Sequence, residues 1–240
     1  MTLRNFPTTF KRRSLRETFA STSCVLFDFD GPICAVYAGV PAHEVADRLR
    51  DVLAAWGLEA PGPARDTKDP LKVLAEVDAA LLGSPRHYKV AELEEELTRQ
   101  EVRAVGLAAP TAGAEDVIRL MAAQERRIAV VTNNSPDAAE RYLTAQGLAG
   151  LFGKHIHGRT SDPTLMKPDP SCLLRALDST GSDAQDAVMV GDSAFDVGAA
   201  RNADVRFVGL ARDERKADEL RTAGARHLVS SMSELYRLAQ

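Results

Sequence analysis

The sequence predicts an α/β protein: a Rossmann-like parallel sheet with helices on both faces, plus a small all-helical segment inserted after the first strand. Three observations predict it. Short apolar runs recur at wide spacing, at 24–27, 128–131, 187–190, 207–210 and 227–229. Each is near-continuously hydrophobic, as expected of strands covered on both faces. Helical patterns with start and stop signals lie between them, and strand alternating with helix argues a parallel sheet. The stretch 37–104 breaks this alternation and holds no convincing strand.

The elements follow in order. Residues 1–20 form a basic leader carrying Arg4, Lys11, Arg12, Arg13 and Arg16 against Glu17. An anion-binding arm is one reading. A flexible extension, or a start codon placed too far upstream, is the expectation preferred here. The core spans 21–36 and 105–240. In the helical segment, Val45, Leu49, Val52, Leu53 and Trp56 fall on one face, closed by Gly57. The Pro/Gly-rich piece 60–64 reads as a loop. Asp69-Pro70 opens a second helix that runs toward Gly83, and Val90, Leu93 and Leu97 mark a third. Glu92, Glu94, Glu95 and Glu96 are expected mostly on that helix's solvent face, and Trp56 in the segment's core. The entry (33–38) and exit (106–110) are expected hinges. In the second part of the core, Ser135-Pro136 supplies an N-cap and a proline at the first helical position, and Gly147 ends that helix. Asp169-Pro170 repeats the start signal, with Gly181 at the end. Residues 154–157 read as a weaker strand, on which His155 and His157 are structural.

Composition bounds the function. The chain has 240 residues, 45% hydrophobic and 27% charged, with formal net charge -4, so nothing pulls it toward nucleic acid or a membrane surface. Cys24, Cys34 and Cys172 lack metal-site spacing and cannot all pair, which predicts reduced core thiols. There is no apolar run of about 18 residues and no apolar centre of a secretory signal. A cytoplasmic protein, monomeric or dimeric, is expected.

In an open parallel sheet, ligands bind beyond the carboxyl ends of the strands. The first predicted strand ends in Asp28-Phe29-Asp30-Gly31, the run at 128–131 in Thr132-Asn133-Asn134, and the run at 187–190 in Gly191-Asp192-Ser193, with Asp196 one helical step on. Lys167 precedes that last strand, before Pro168. Side chains at i and i+2 share a face, so Asp28 and Asp30 can converge where the chain bends. Crowded carboxylates are unfavourable unless a cation or a shared proton relieves them.

These four motifs, in this order and on matching strand ends, resemble those of the haloacid dehalogenase-like (HAD) hydrolase superfamily. The helical insertion resembles the cap of its phosphoglycolate phosphatase-like and beta-phosphoglucomutase-like group. The resemblance covers the chain from about Cys24 onward and implies roles for individual residues. Asp28 would be the nucleophile, forming an aspartyl-phosphate. Asp30 would be the general acid, then the base. Asp28 and Asp192 would hold Mg²⁺, with Asp30 contributing its backbone carbonyl and Asp196 supporting the metal shell. Thr132 and the Asn133 backbone N–H would contact phosphate, and Lys167 would neutralise charge on phosphate and nucleophile. Of the roughly 28 kcal/mol by which the slowest monoester hydrolyses are accelerated, alignment alone supplies about 7–11 kcal/mol. Metal, lysine and acid–base groups must supply much of the rest.

The expected function is thus a Mg²⁺-dependent phosphatase acting on a small phosphorylated metabolite. Alternatives are a sugar phosphomutase of the beta-phosphoglucomutase type, or a non-catalytic binding protein on the same scaffold. Asp30 argues against dehalogenase chemistry, which lacks a second aspartate there. Phosphonate cleavage needs a cap lysine as Schiff base, and Lys68, Lys72 and Lys89 have no convincing context. Substrate choice is expected to reside in the helical segment, with Arg65, Lys68, Arg86, His87 and Lys89 as candidate contacts. Pro32 departs from the family pattern, stiffening the turn after Gly31 without deleting a named group.

Overall fold

A computed structural model of the chain describes residues 14–240. Its strands are β1 Cys24–Phe27, β2 Cys34–Ala35, β3 Ala109–Pro110, β4 Arg127–Val131, β5 Ile156–His157, β6 Ala187–Gly191, β7 Arg206–Leu210 and β8 Leu228–Val229. Six of them form one sheet in the order β5-β4-β1-β6-β7-β8, every neighbouring pair parallel. All five expected strands are present, and the weaker 154–157 run contributes the two residues of β5. β2 and β3 form a separate antiparallel ribbon. It lies inside the two segments expected as hinges, joining 34–35 to 109–110.

The helices are α1 Leu15–Ala20, α2 Ala42–Ala55, α3 Gly62–Asp66, α4 Pro70–Leu81, α5 Lys89–Ala104, α6 Ala114–Ala123, α7 Pro136–Ala145, α8 Ala149–Phe152, α9 Ser171–Thr180, α10 Ala194–Asn202, α11 Glu214–Ala223 and α12 Met232–Ala239. Their starts follow the capping chemistry of the sequence. Ser135 accepts from the Asp137 N–H, and Asp69 from the Leu71 N–H. Gly147 and Gly181 close α7 and α9 in left-handed conformation.

β1 is fully buried on both faces, which explains its unbroken apolar sequence. Val25 and Phe27 face a core shared with α1, α6, α7 and α12. Cys24 and Leu26 face a second core built by α9 and α10. Burying each such side chain contributes about 1.5–3 kcal/mol. All three cysteines are buried and unpaired, as composition suggests. Among the described residues no helix is long and apolar enough to cross a membrane.

The structure differs from the sequence expectations at three places. Residues 15–20, assigned to a flexible leader, form α1. Ser14 and Glu17 make a capping box, and Phe19 is buried. Arg206 fastens this helix by donating to the Thr18 carbonyl at 3.0 Å and the Ser21 hydroxyl at 2.8 Å. The rest of the leader, 1–13, lies outside the described residues. The piece 60–64 is not wholly a loop, because α3 starts at Gly62. Glu96 is buried rather than solvated, held by Arg48, Arg99 and Gln100. Trp56, expected in the segment's core, is half-buried and packs against it, with the Lys89 ammonium 4.5 Å from its ring centre.

Candidate active site

The sheet order places β1 between β4 and β6, so their three carboxyl ends stand side by side. Asp28 and Asp30 follow β1, Thr132 and Asn133 follow β4, and Asp192 follows β6. These residues line a single cavity of about 550 Å³ together with Lys167. Asp196 is set one layer deeper, on the first turn of α10, and is completely buried.

Lys167 ties the cluster together. Its ammonium donates to Asp28 Oδ1 at 2.8 Å, to Asp196 Oδ1 at 2.5 Å and to the Val131 carbonyl at 3.1 Å. All three N–H groups are therefore used. Burial alone would push this lysine down, but the Asp196 and Asp28 carboxylates override it and hold it above the ordinary lysine range. Asn133 fixes the backbone that carries it: its Oδ1 accepts from the Lys167 N–H at 2.7 Å and its Nδ2 donates to the Lys167 carbonyl at 3.1 Å.

The four aspartates differ in their surroundings. Asp28 Oδ1 is engaged by Lys167 and by the Phe29 N–H at 2.7 Å; Oδ2 accepts no hydrogen bond from the described residues. Burial raises the proton affinity of Asp28, the Asp196 charge adds to that, and Lys167 opposes it. Asp30 accepts from the Val36 N–H at 2.9 Å, and burial holds its carboxyl above the usual range, which suits a proton donor. Asp192 is pushed up to about 6 by burial and by Asp196. Asp196 is saturated, with Oδ1 on Lys167 and Oδ2 accepting from the backbone of Asp192 and Ser193 and from the Ser193 hydroxyl.

A hard cation fits this set. Asp28, Asp192 and Asp196 each bring one oxygen within 4.8 Å of the others, and hard divalent ions take such oxygens. Asp28 and Asp192 have the carboxylates best placed to ligate. Asp196 already has donors on both oxygens and fits a supporting position. The Asp30 carboxylate accepts from the Val36 N–H and is not part of this set.

Sequence reasoning missed part of the lining. Asp69, Leu71, Lys72 and Ala75 of the α4 start reach the cavity, as do Met166 and Phe195. None of Arg65, Lys68, Arg86, His87 and Lys89 does. His87 bonds Asp78 and Lys89 bonds Glu92. The start of α4 was legible at Asp69-Pro70, but that its Lys72 would line the cavity was not. His155 and His157 both contact the Ser179 hydroxyl, a structural arrangement.

The family model for haloacid dehalogenase-like hydrolases matches residues 22–204. The "Probable phosphatase IndB" of Dickeya dadantii is 26% identical over 222 residues, which is 88% of this chain and 90% of that protein. The phosphoglycolate phosphatase of Rhodospirillum rubrum is 38% identical over 96 residues, spanning 40% of this chain and 39% of that enzyme. Among solved structures, CbbY from Rhodobacter sphaeroides in complex with phosphate matches with TM-score 0.64 and 23% identity, over 89% of this chain and 96% of that one. That structural likeness concerns the fold.

Proposed function

Because the chain belongs to the haloacid dehalogenase-like hydrolase family and is an enzyme of its phosphatase side, we propose that it hydrolyses a small phosphorylated metabolite with Mg²⁺, through a phosphoryl group carried on Asp28. The observation that carries this reading is the shared cavity, where Asp28 keeps one oxygen free beside Lys167, Asp30, Thr132, Asn133 and Asp192. We read 37–104 as a cap over that cavity, and 21–36 with 105–240 as the catalytic core.

Asp28 Oδ2 attacks phosphorus, and the bond from phosphorus to the leaving oxygen breaks. Asp30 gives its proton to that oxygen. Water then attacks the aspartyl-phosphate, Asp30 takes the water's proton, and the Asp28–phosphate bond breaks to release inorganic phosphate. Thr132 and the Asn133 N–H hold the transferred oxygens. Lys167 keeps Asp28 aimed and offsets the charge that builds on phosphate. Mg²⁺ held by Asp28, Asp192 and the Asp30 carbonyl, with Asp196 behind them, would supply charge neutralisation between nucleophile and phosphate. The cavity lining is apolar at Leu71, Ala75, Met166 and Phe195 and includes the exposed Lys72 from the α4 start. That pairing suits a short phosphorylated acid, as in phosphoglycolate, whose carboxylate would meet Lys72.

The test is turnover of an aryl phosphate with Mg²⁺ by the wild type and by Asp28→Asn. The variant is expected to fold and to lose at least about 10⁴-fold in kcat; near-normal turnover would overturn the nucleophile assignment. A phosphometabolite panel, scored separately for free phosphate and for isomerised product, separates hydrolysis from mutase chemistry.

A further inference from the structure

Arg159 follows β5 and lies outside the cavity lining. Its side chain is fully buried, and all its polar atoms are engaged. Nε donates to Glu94 Oε1 at 3.0 Å, Nη1 to Glu101 Oε1 at 3.2 Å and to the Asn133 carbonyl at 2.9 Å, and Nη2 to Thr98 Oγ1 at 3.2 Å and to Glu101 Oε2 at 3.1 Å. Glu94, Thr98 and Glu101 fall at i, i+4 and i+7, one face of α5. Glu101 is itself fully buried. Its Oε1 accepts from Asn134 Nδ2 at 2.9 Å and from the Tyr37 hydroxyl at 3.4 Å, and its Oε2 from the Ser135 N–H at 2.8 Å. The Arg159 N–H also donates to the Asn134 carbonyl at 2.9 Å. One end of this network is therefore a face of α5, and the other is the backbone of 133–135 beside the phosphate contacts.

We propose that Arg159 and Glu101 are positioning residues that lock the 132–135 loop to α5, so that the loop keeps its phosphate-holding geometry only while α5 is docked. The inference rests on the phosphatase reading above. Its physical basis is that a buried guanidinium or carboxylate is strongly unfavourable alone, so the two charges hold each other in place. Each also holds a backbone group of the loop: Arg159 the Asn133 carbonyl, Glu101 the Ser135 N–H. Withdrawing α5 would strip three partners from Arg159 at once, leaving the loop without its clamp. Phosphate affinity is thereby tied to the position of the cap helix.

Arg159→Met is a poor test, because removing one half of a buried pair can prevent folding. Glu94→Gln and Thr98→Val reach the loop only through Arg159 and lie on partly exposed positions. Calorimetric titration with inorganic phosphate in the presence of Mg²⁺, alongside kcat and KM for an aryl phosphate, reads the effect. Each variant is expected to weaken phosphate binding between about twofold and thirtyfold and to raise KM, with unchanged circular dichroism. Combined, the two should weaken it by less than the product of their separate effects, because both act through one guanidinium. Wild-type phosphate affinity in both variants would overturn the inference while leaving the phosphatase reading intact. A wild type that neither binds phosphate nor turns over a phosphate ester would overturn both.

Discussion

Gly31 adopts φ +111° directly beneath the Asp192 carboxylate, and a Cβ there would sit 2.5 Å from Asp192 Cγ. The backbone conformation alone disfavours any other residue by about 1–3 kcal/mol. The contact adds a functional consequence, because the Asp192 carboxylate must shift to admit a Cβ. Gly31→Ala is therefore expected to raise the Mg²⁺ concentration for half-maximal rate by about 10–100-fold, the range found when a ligand's support is lost. An Mg²⁺ titration of initial rates checks it, and an unchanged requirement would remove Asp192 from the metal set. Residues of this kind were legible because they cluster in a few consecutive positions at strand ends: Asp28, Asp30 and Gly31 after one strand, Asp192 after another. Glu101 and Arg159 were not. Their pairing crosses 58 residues, and no local pattern reports it. The side chain of Asn133 was read for its backbone only, yet it clamps Lys167 through two hydrogen bonds.

At the level of single elements, β5 carries a pH-sensitive pair. His155 Nδ1 and His157 Nε2 lie 3.0 and 2.7 Å from one hydroxyl, Ser179 Oγ. Burial, followed by Arg175 and His155, pushes His157 down to about 4 from 6.5. The folded state thus resists a proton that the unfolded chain accepts. The associated stability is fully present above about pH 6.5 and is lost as pH falls toward 4. Asp28, Asp30 and Asp192 are shifted upward, so they act in the opposite sense, and the wild-type curve alone cannot isolate the histidine. The comparison with His157→Asn can: the variant should lose less Tm than wild type between pH 7 and pH 5, and parallel curves would contradict the assignment. The strands were readable because burial on both faces leaves uninterrupted apolar runs. β2 and β3, at two residues each, are too short for any periodicity to register. α1 was obscured by the basic composition around it, although its Ser14–Glu17 capping box was present in the sequence.

Across the whole molecule, the sheet order is what concentrates charge. β1 between β4 and β6 brings Asp28, Asp192 and Asp196 within 4.8 Å of one another, around one buried ammonium already bonded to two of them. Arg212, half-exposed, adds a guanidinium 3.9 Å from Asp192 Oδ2 and braces the Gly31 carbonyl at 2.5 Å. Three clustered carboxylates thus face two cationic side chains, Lys167 and Arg212. The fold tolerates this because the hydrophobic cores on the two faces of the sheet include none of these charged residues. Two consequences of removing Mg²⁺ should therefore separate. Chelator is expected to abolish turnover of an aryl phosphate while leaving the circular dichroism unchanged. Adding Mg²⁺ back to about a hundred times its dissociation constant at pH 7.5 should stabilise the protein by about 2.7 kcal/mol. For a chain of this length that is a Tm rise of roughly 5–10 °C. In Asp192→Asn, which keeps the shape but removes one ligand charge, most of that rise should disappear while the Mg²⁺-free Tm holds or increases, since one buried repulsion is gone. Thermal melts of both proteins with and without the ion decide it. An equal Mg²⁺ shift in the two would place the cation elsewhere, and a variant that melts well below wild type without Mg²⁺ would mean that Asp192 serves the fold before it serves the metal.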